Sequence, residues 1–235
     1  FLYKDVLFLS LVTFATYAFF LCLDKLNYKN LTIFAFLSSI CISTRIIGIF
    51  LPVSFFIILI LTLVNTKQRN QILKKYFFYL GLLIIFLISH WPYLWNAPLD
   101  NFLLLFQSLK HDLIDVKILF NNEFINNRIL PYEYIPFWIG LSTPVIILFF
   151  FIFGFFFNFK RIFVRFISIN KINSSCDFWR GNKEKKDFFI FFNFFSILLF
   201  LITFNVGLYN GWRIIYFLNL FIIYFATYSF YIFLI

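Results

Sequence analysis

Residues 65–98 read NTKQRNQILKKYFFYLGLLIIFLISHWPYLWNAP. Lys67, Arg69, Lys74 and Lys75 come first, with no acid among them. An uncharged run over 77–95 follows, and the stretch closes on two Trp, a Tyr and two Pro. About 20 apolar residues suffice for a helix to cross a hydrocarbon layer. A basic flank marks the cytoplasmic end of such a span, and a Trp/Tyr belt marks an interface. This one stretch therefore predicts a transmembrane helix with a basic end and an aromatic end.

The pattern repeats. Further apolar segments cover 6–23, 31–44, 48–64, 133–157, 188–206 and 213–235. Apolar residues make up 63% of the chain and charged residues 13%, with a mean hydropathy of +0.91. Soluble domains carry roughly 25% charged residues, so the composition predicts an all-α, polytopic transmembrane helical bundle of six to seven membrane segments. The 42 Phe read as compositional drift, not as a device. Segment 31–64 exceeds one ordinary span. Arg45, Gly48 and Pro52 interrupt it, which predicts two helices meeting at a membrane face.

Loop charge orients these spans. Loop 158–187 holds Lys160, Arg161, Arg165, Lys171, Arg180, Lys183, Lys185 and Lys186 against three acids, and Lys25 and Lys29 occupy the turn 24–30. Loops 65–76 and 158–187 are thus expected in the cytoplasm. Asp5, Arg45, the loop 96–132 and the hairpin NVGLYNGWR (205–213) are expected outside. The net charge of +10 is then mainly a topology signal with attraction to anionic membrane lipid, not a nucleic-acid footprint. Loop 96–132 is balanced in charge. Its stretch PLDNFLLLFQSLKHDL (98–113) places Leu99, Phe102, Leu103, Phe106 and Leu109 at helical spacing, so an amphipathic interfacial helix is expected there.

Few side chains carry chemistry. Asp5 suits a helix N-terminal cap. It equally suits a divalent-cation ligand, or a group activating an acceptor hydroxyl or amine. If catalysis is its role, Asp5→Asn should spare the melting temperature. Arg45 stands between apolar runs, as an interfacial anchor or a phosphate clamp. Arg213, beside Trp212, admits the same two readings. Cys22, Cys41 and Cys176 have no metal-ligand spacing and read as buried or idle thiols. His90 and His111 are too isolated for a His-based metal site, and phosphate-cradling Gly-rich loops are absent from the sequence.

Four stretches together resemble one family. YKDVLFLSLVTFATYAFF (3–20) resembles a segment in which an Asp stands just before a membrane helix. ISTRIIGIFLPVS (42–54) resembles an A-T-R-x-x-G-L-L-L-P break. ILPYEYIPFWIGLSTPVIILFF (129–150) resembles L-P-W-x-Y-x-P-x-W-x-x-x-T-T-P, and LYNGWRIIYFL (208–218) resembles L-Y-D-G-W-R-H-x-Y-F. These are motifs of the dolichyl-phosphate-mannose–protein mannosyltransferase-like enzymes, glycosyltransferase family 39, of GT-C fold.

The resemblance implies inverting transfer of a sugar from a polyprenyl-phosphate-sugar donor to an acceptor protein, lipid or glycan. Transfer would occur on the non-cytoplasmic face, here the exterior or periplasmic side of a bacterial inner membrane. It implies Asp5 as the catalytic residue and optional metal ligand, and Arg45 and Arg213 as donor-phosphate ligands. Trp91, Tyr93, Tyr132, Glu133, Tyr209, Asn210 and Trp212 fall where acceptor or donor loops lie. No cofactor is implied beyond an optional divalent metal ion.

Three departures accompany it. The family's first external loop, with a further catalytic acid, would precede residue 1, so the chain reads as a fragment inactive alone. Asn210 replaces the commoner Asp, and Ile214 the commoner His. A transporter or flippase is the rival reading and would want polar residues at mid-membrane. A catalytically silent membrane scaffold is the third.

Overall fold

The computed structural model describes residues 3–63, 69–111, 116–127, 129–168, 179, 181–204, 206–208, 211 and 213–234. Among them the helices are α1 (Tyr3–Asp24), α2 (Tyr28–Thr44), α3 (Phe50–Leu63), α4 (Arg69–His90) and α5 (Pro98–His111). A β-hairpin follows, β1 (Lys117–Phe120) and β2 (Glu123–Asn126). Then come α6 (Tyr134–Ser142), α7 (Val145–Ser168), α8 (Asn182–Thr203) and α9 (Asn219–Leu234). Among the described residues, six helical stretches have the length and apolarity to cross a membrane: Lys4–Asp24, Ile46–Leu63, Arg69–His90, Val145–Val164, Asn182–Thr203 and Arg213–Leu234. The chain is a multi-pass, all-α helical membrane bundle.

Local chemistry sets the breaks. Asn27 caps α2, its side chain accepting from the Asn30 amide at 2.8 Å. At the other end of α2, Arg45 turns extended (φ −148°, ψ 128°), and a 3-10 turn over Ile46–Ile49 leads into α3. Gly48 permits this fold-back, because a Cβ there would lie 2.6 Å from the Cys41 carbonyl carbon. The predicted interruption of 31–64 is therefore present.

The segment 133–157, read as one span, is two helices. Thr143 is extended (φ −88°, ψ 131°) ahead of Pro144, and the residue before proline avoids the helical region. Helix α7 then runs on to Ser168 and α8 starts at Asn182, so much of the expected loop 158–187 is helical. The β-hairpin within 96–132 was not foreseen. Its turn residues Asn121 and Asn122 both have positive φ (50° and 65°), as a two-residue hairpin turn demands.

In lipid the alternative to packing is another apolar surface, so helices associate by close fit. Phenylalanine supplies it here. Phe19 stacks on Phe189 at 3.9 Å between ring centres, and Phe34 stacks on Tyr79 at 5.1 Å while meeting Phe55 edge-on. These contacts join α1, α2, α3, α4 and α8. On the other flank α7 lies along α9, where Gly154 lets the backbones touch. A Cβ at 154 would fall 2.0 Å from the Phe225 carbonyl oxygen.

Helix α5 forms as expected. Leu99 and Leu103 are exposed, while Phe102 and Leu105 pack on the core. The side chains of Phe106 and Leu109, and all of Cys176, lie outside the described residues. Cys22 and Cys41 are buried free thiols.

Candidate functional site

The two ends of the bundle differ in kind. At one end Lys186 pairs with Asp24 at 2.7 Å, Lys75 donates to the Leu26 carbonyl at 2.6 Å, and Asn182 donates to the Leu23 carbonyl at 2.7 Å. This end gathers the C-terminus of α1 and the N-termini of α4 and α8. The other gathers the N-terminus of α1, the C-termini of α2 and α4, and the entry to α9. There His90 Nε2 lies 3.0 Å from Ser43 Oγ, two residues before Arg45.

Asp5 stands in the first turn of α1 with only 8% of its surface exposed. Neither arginine points out as an anchor would. The Arg45 guanidinium donates to Asp5 Oδ1, and Arg213 Nε donates to Asp5 Oδ2 at 2.9 Å. Arg45 also donates through Nη1 to the Ile214 carbonyl, and its guanidinium carbon lies 5.6 Å from the centre of the Phe8 ring. Exposure of the two arginine side chains is 18% and 30%. Three residues far apart in sequence thus form one half-buried cluster holding two cations and one anion. Its formal charge is +1.

This geometry narrows the roles open to Asp5. Both carboxylate oxygens face guanidinium groups, so the residue does more than cap its own helix. Two adjacent cations oppose a third on the same carboxylate. Asp5 therefore fits a carboxylate that positions arginines and does not fit a metal ligand.

The remaining site residues are distributed unevenly. Trp91 and Tyr93 stand with ring centres 6.3 Å apart just beyond His90, at the same end as the cluster. Tyr132 walls a cavity of about 200 Å3 with Leu130, Tyr134, Leu201 and Leu208, while Glu133 is exposed at the start of α6. Tyr209, Asn210 and Trp212 lie outside the described residues.

Two residues of the same stretch were missed. Because α6 begins at Tyr134, Tyr134 and Trp138 share a face and point inward, with ring centres 6.3 Å apart. Gly211 (φ +69°) lies over Trp138, where a Cβ would come within 3.2 Å of the indole. The stretch 129–150 thereby meets Gly211, two residues before Arg213.

A second polar cluster, also missed, joins α7, α8 and α9. Buried Asp187 accepts from Arg161 and, at 2.6 Å, from the Tyr224 hydroxyl. Arg161 also donates to Asn158 at 2.9 Å and to the Tyr228 hydroxyl at 3.3 Å.

The fold and the bundle-end site define the class as a multi-pass helical membrane protein. Compared with family models, curated proteins and solved structures, the chain matches none.

Proposed function

We propose that this chain belongs to a membrane glycosyltransferase of GT-C fold, similar to the protein mannosyltransferase-like enzymes. It would move a sugar from a polyprenyl-phosphate donor to an acceptor protein, lipid or glycan. The observation that carries this reading is the Asp5–Arg45–Arg213 cluster. Two guanidinium groups converge there on one carboxylate, and a guanidinium carries five N–H donors in a planar fork that matches phosphate. Three of the four stretches of the resemblance meet in the cluster, α1, the Arg45 break and the Arg213 turn, and the fourth touches Gly211 through Trp138.

In this reading an acceptor attacks the anomeric carbon from the face opposite the lipid phosphate. The bond from that carbon to the phosphate oxygen breaks, and the polyprenyl phosphate leaves with the electron pair. Arg45 and Arg213 stabilise the charge developing on the leaving phosphate. Asp5 holds the two guanidinium groups in register. The departure at 214 weighs less than it would for a side-chain role, because Ile214 acts through its backbone carbonyl. The site would open to the exterior or periplasmic face of a bacterial inner membrane.

Polar groups inside the spans are what the transporter reading draws on, as in the pair in which Asn193 donates to Ser54 at 3.0 Å and in the Arg161–Asp187–Tyr224 cluster. Asn193 and Ser54 are wholly buried and line no open path, and Arg161 and Asp187 satisfy one another as a closed ion pair.

The test is Arg213→Lys in the full-length protein, assayed with a panel of polyprenyl-phosphate sugars. Lysine keeps the charge and loses the fork. Loss of one charge-assisted contact costs about 1.5–3 kcal/mol, which is roughly ten- to a hundredfold in donor use. Wild-type donor KM and kcat with lysine at 213 would make this arginine an anchor. Absence of transfer from every donor by the full-length wild type would remove the glycosyltransferase reading itself.

A further inference from the structure

At the end of the bundle opposite the arginine cluster lies a crevice of about 230 Å3 between α1, α3, α4 and α8. Its walls are Leu23, Leu26, Phe55, Ile58, Leu59 and Ile72. Lys75 and Lys185 are the charged residues on its lining, so an apolar slot has two ammonium groups on its rim. Around it Lys25, Lys29, Arg69, Lys74 and Lys183 are exposed, outnumbering the two acids there, Asp24, which Lys186 engages, and Glu184, in the first turn of α8. Lys75 reaches back to the Leu26 carbonyl, which holds its ammonium over the slot.

An apolar slot at a helix-bundle end is solvated by lipid, and the charge on its rim selects which lipid. We propose that this crevice is a binding site for one anionic phospholipid of the surrounding bilayer. An acyl chain lies between α3 and α4, and the phosphate sits between Lys75 and Lys185. Apolar fit alone would take any phospholipid. The two lysines add a preference for a net negative headgroup over a zwitterionic one, whose ammonium they repel. The site is independent of the donor reading, being built from other residues at the other end of the molecule.

The experiment is native mass spectrometry of the full-length protein in detergent, titrated with phosphatidylglycerol or with phosphatidylcholine of identical acyl chains. The first bound phosphatidylglycerol should be favoured by about tenfold or more, with each lysine contributing about fivefold, as basic residues do at an anionic surface. Lys75→Gln with Lys185→Gln should erase the preference. Lys25→Gln with Lys183→Gln, which removes two exposed charges and leaves the slot intact, should keep it. Leu59→Phe should weaken the first site for both lipids by filling the slot, with melting temperature and helix content read in parallel. Glycerol phosphate, the headgroup without acyl chains, should not displace the lipid. Equal binding of the two phospholipids would overturn the proposal. So would a preference lost equally in both lysine pairs, or displacement by glycerol phosphate.

Discussion

Replacing Asp5 by Asn removes one charge and almost no volume, so its effect isolates the electrostatics of the arginine cluster. In the wild type the carboxylate takes Arg45 on one oxygen and Arg213 on the other. Asparagine keeps a single acceptor oxygen and presents an NH2 group to whichever guanidinium faces its nitrogen. Two cations are then left together without the carboxylate that held them. Breaking a buried ion pair from one side costs roughly 3–5 kcal/mol. The arginines retain 18% and 30% exposure, which places the loss near the lower bound, about 3 kcal/mol. For a chain of this size that is a fall of about 6–12 °C in Tm. This revises the sequence-based expectation that Asp5→Asn would spare Tm, an expectation that treated the residue as a cap or an isolated catalytic acid. The assay is thermal unfolding in one detergent of wild type, Asp5→Asn, Arg45→Gln and the double variant. The double variant restores a one-to-one balance of lost charges. Its loss should therefore fall short of the sum of the single losses by about 1–3 kcal/mol. Strictly additive losses, or an unchanged Tm in Asp5→Asn, would refute the cluster as a coupled unit.

Asp187→Asn should destabilise by about 3 kcal/mol, because it removes the α8 carboxylate that pairs with Arg161 of α7 and accepts from the Tyr224 hydroxyl of α9; thermal unfolding reads it. Gly154→Ala should lower Tm as well, since the methyl collides with the Phe225 carbonyl and overpacking costs about 1–3 kcal/mol. Ala at Gly81, where a Cβ meets nothing within 4 Å, is the neutral comparison. For orientation, single cysteines at Asn122 and Lys183 should react with impermeant maleimide from opposite faces of the membrane, and labelling from one face contradicts the charge-based topology.

Runs of apolar residues made the spans readable, and the Arg45–Gly48–Pro52 interruption located the break between α2 and α3. The same uniformity hid the break at Thr143–Pro144. A helix apolar on most faces has little periodic pattern whose interruption stands out, and Pro136 and Pro144 both lie inside 133–157, so the sequence did not single out Thr143–Pro144 as the break. Charge counting treated Arg161 and Asp187 as loop residues. It had no means of seeing that α7 and α8 extend into that segment and pair them. In the site, Asp5, Arg45 and Arg213 were each legible as costly charges near apolar runs. Their meeting was not, because one carboxylate spans contacts 40 and 208 residues away. Tyr134 and Trp138 were passed over for Tyr132 and Glu133, since the inward face of α6 depends on which residue begins the helix.

The long reach of Asp5 also imposes an order in time. A ribosome releases α1 and α2 early, and their Asp5–Arg45 pair is electrically neutral, a cheaper passenger for a nascent membrane segment than either charge alone. Arg213 emerges only with the final described helix. Until then the Asp5 carboxylate has one of its two guanidinium partners. A chain halted before Arg213 would hold the Asp5–Arg45 pair without its second guanidinium, so the three-residue cluster can close only after nearly all of the described helices have been made.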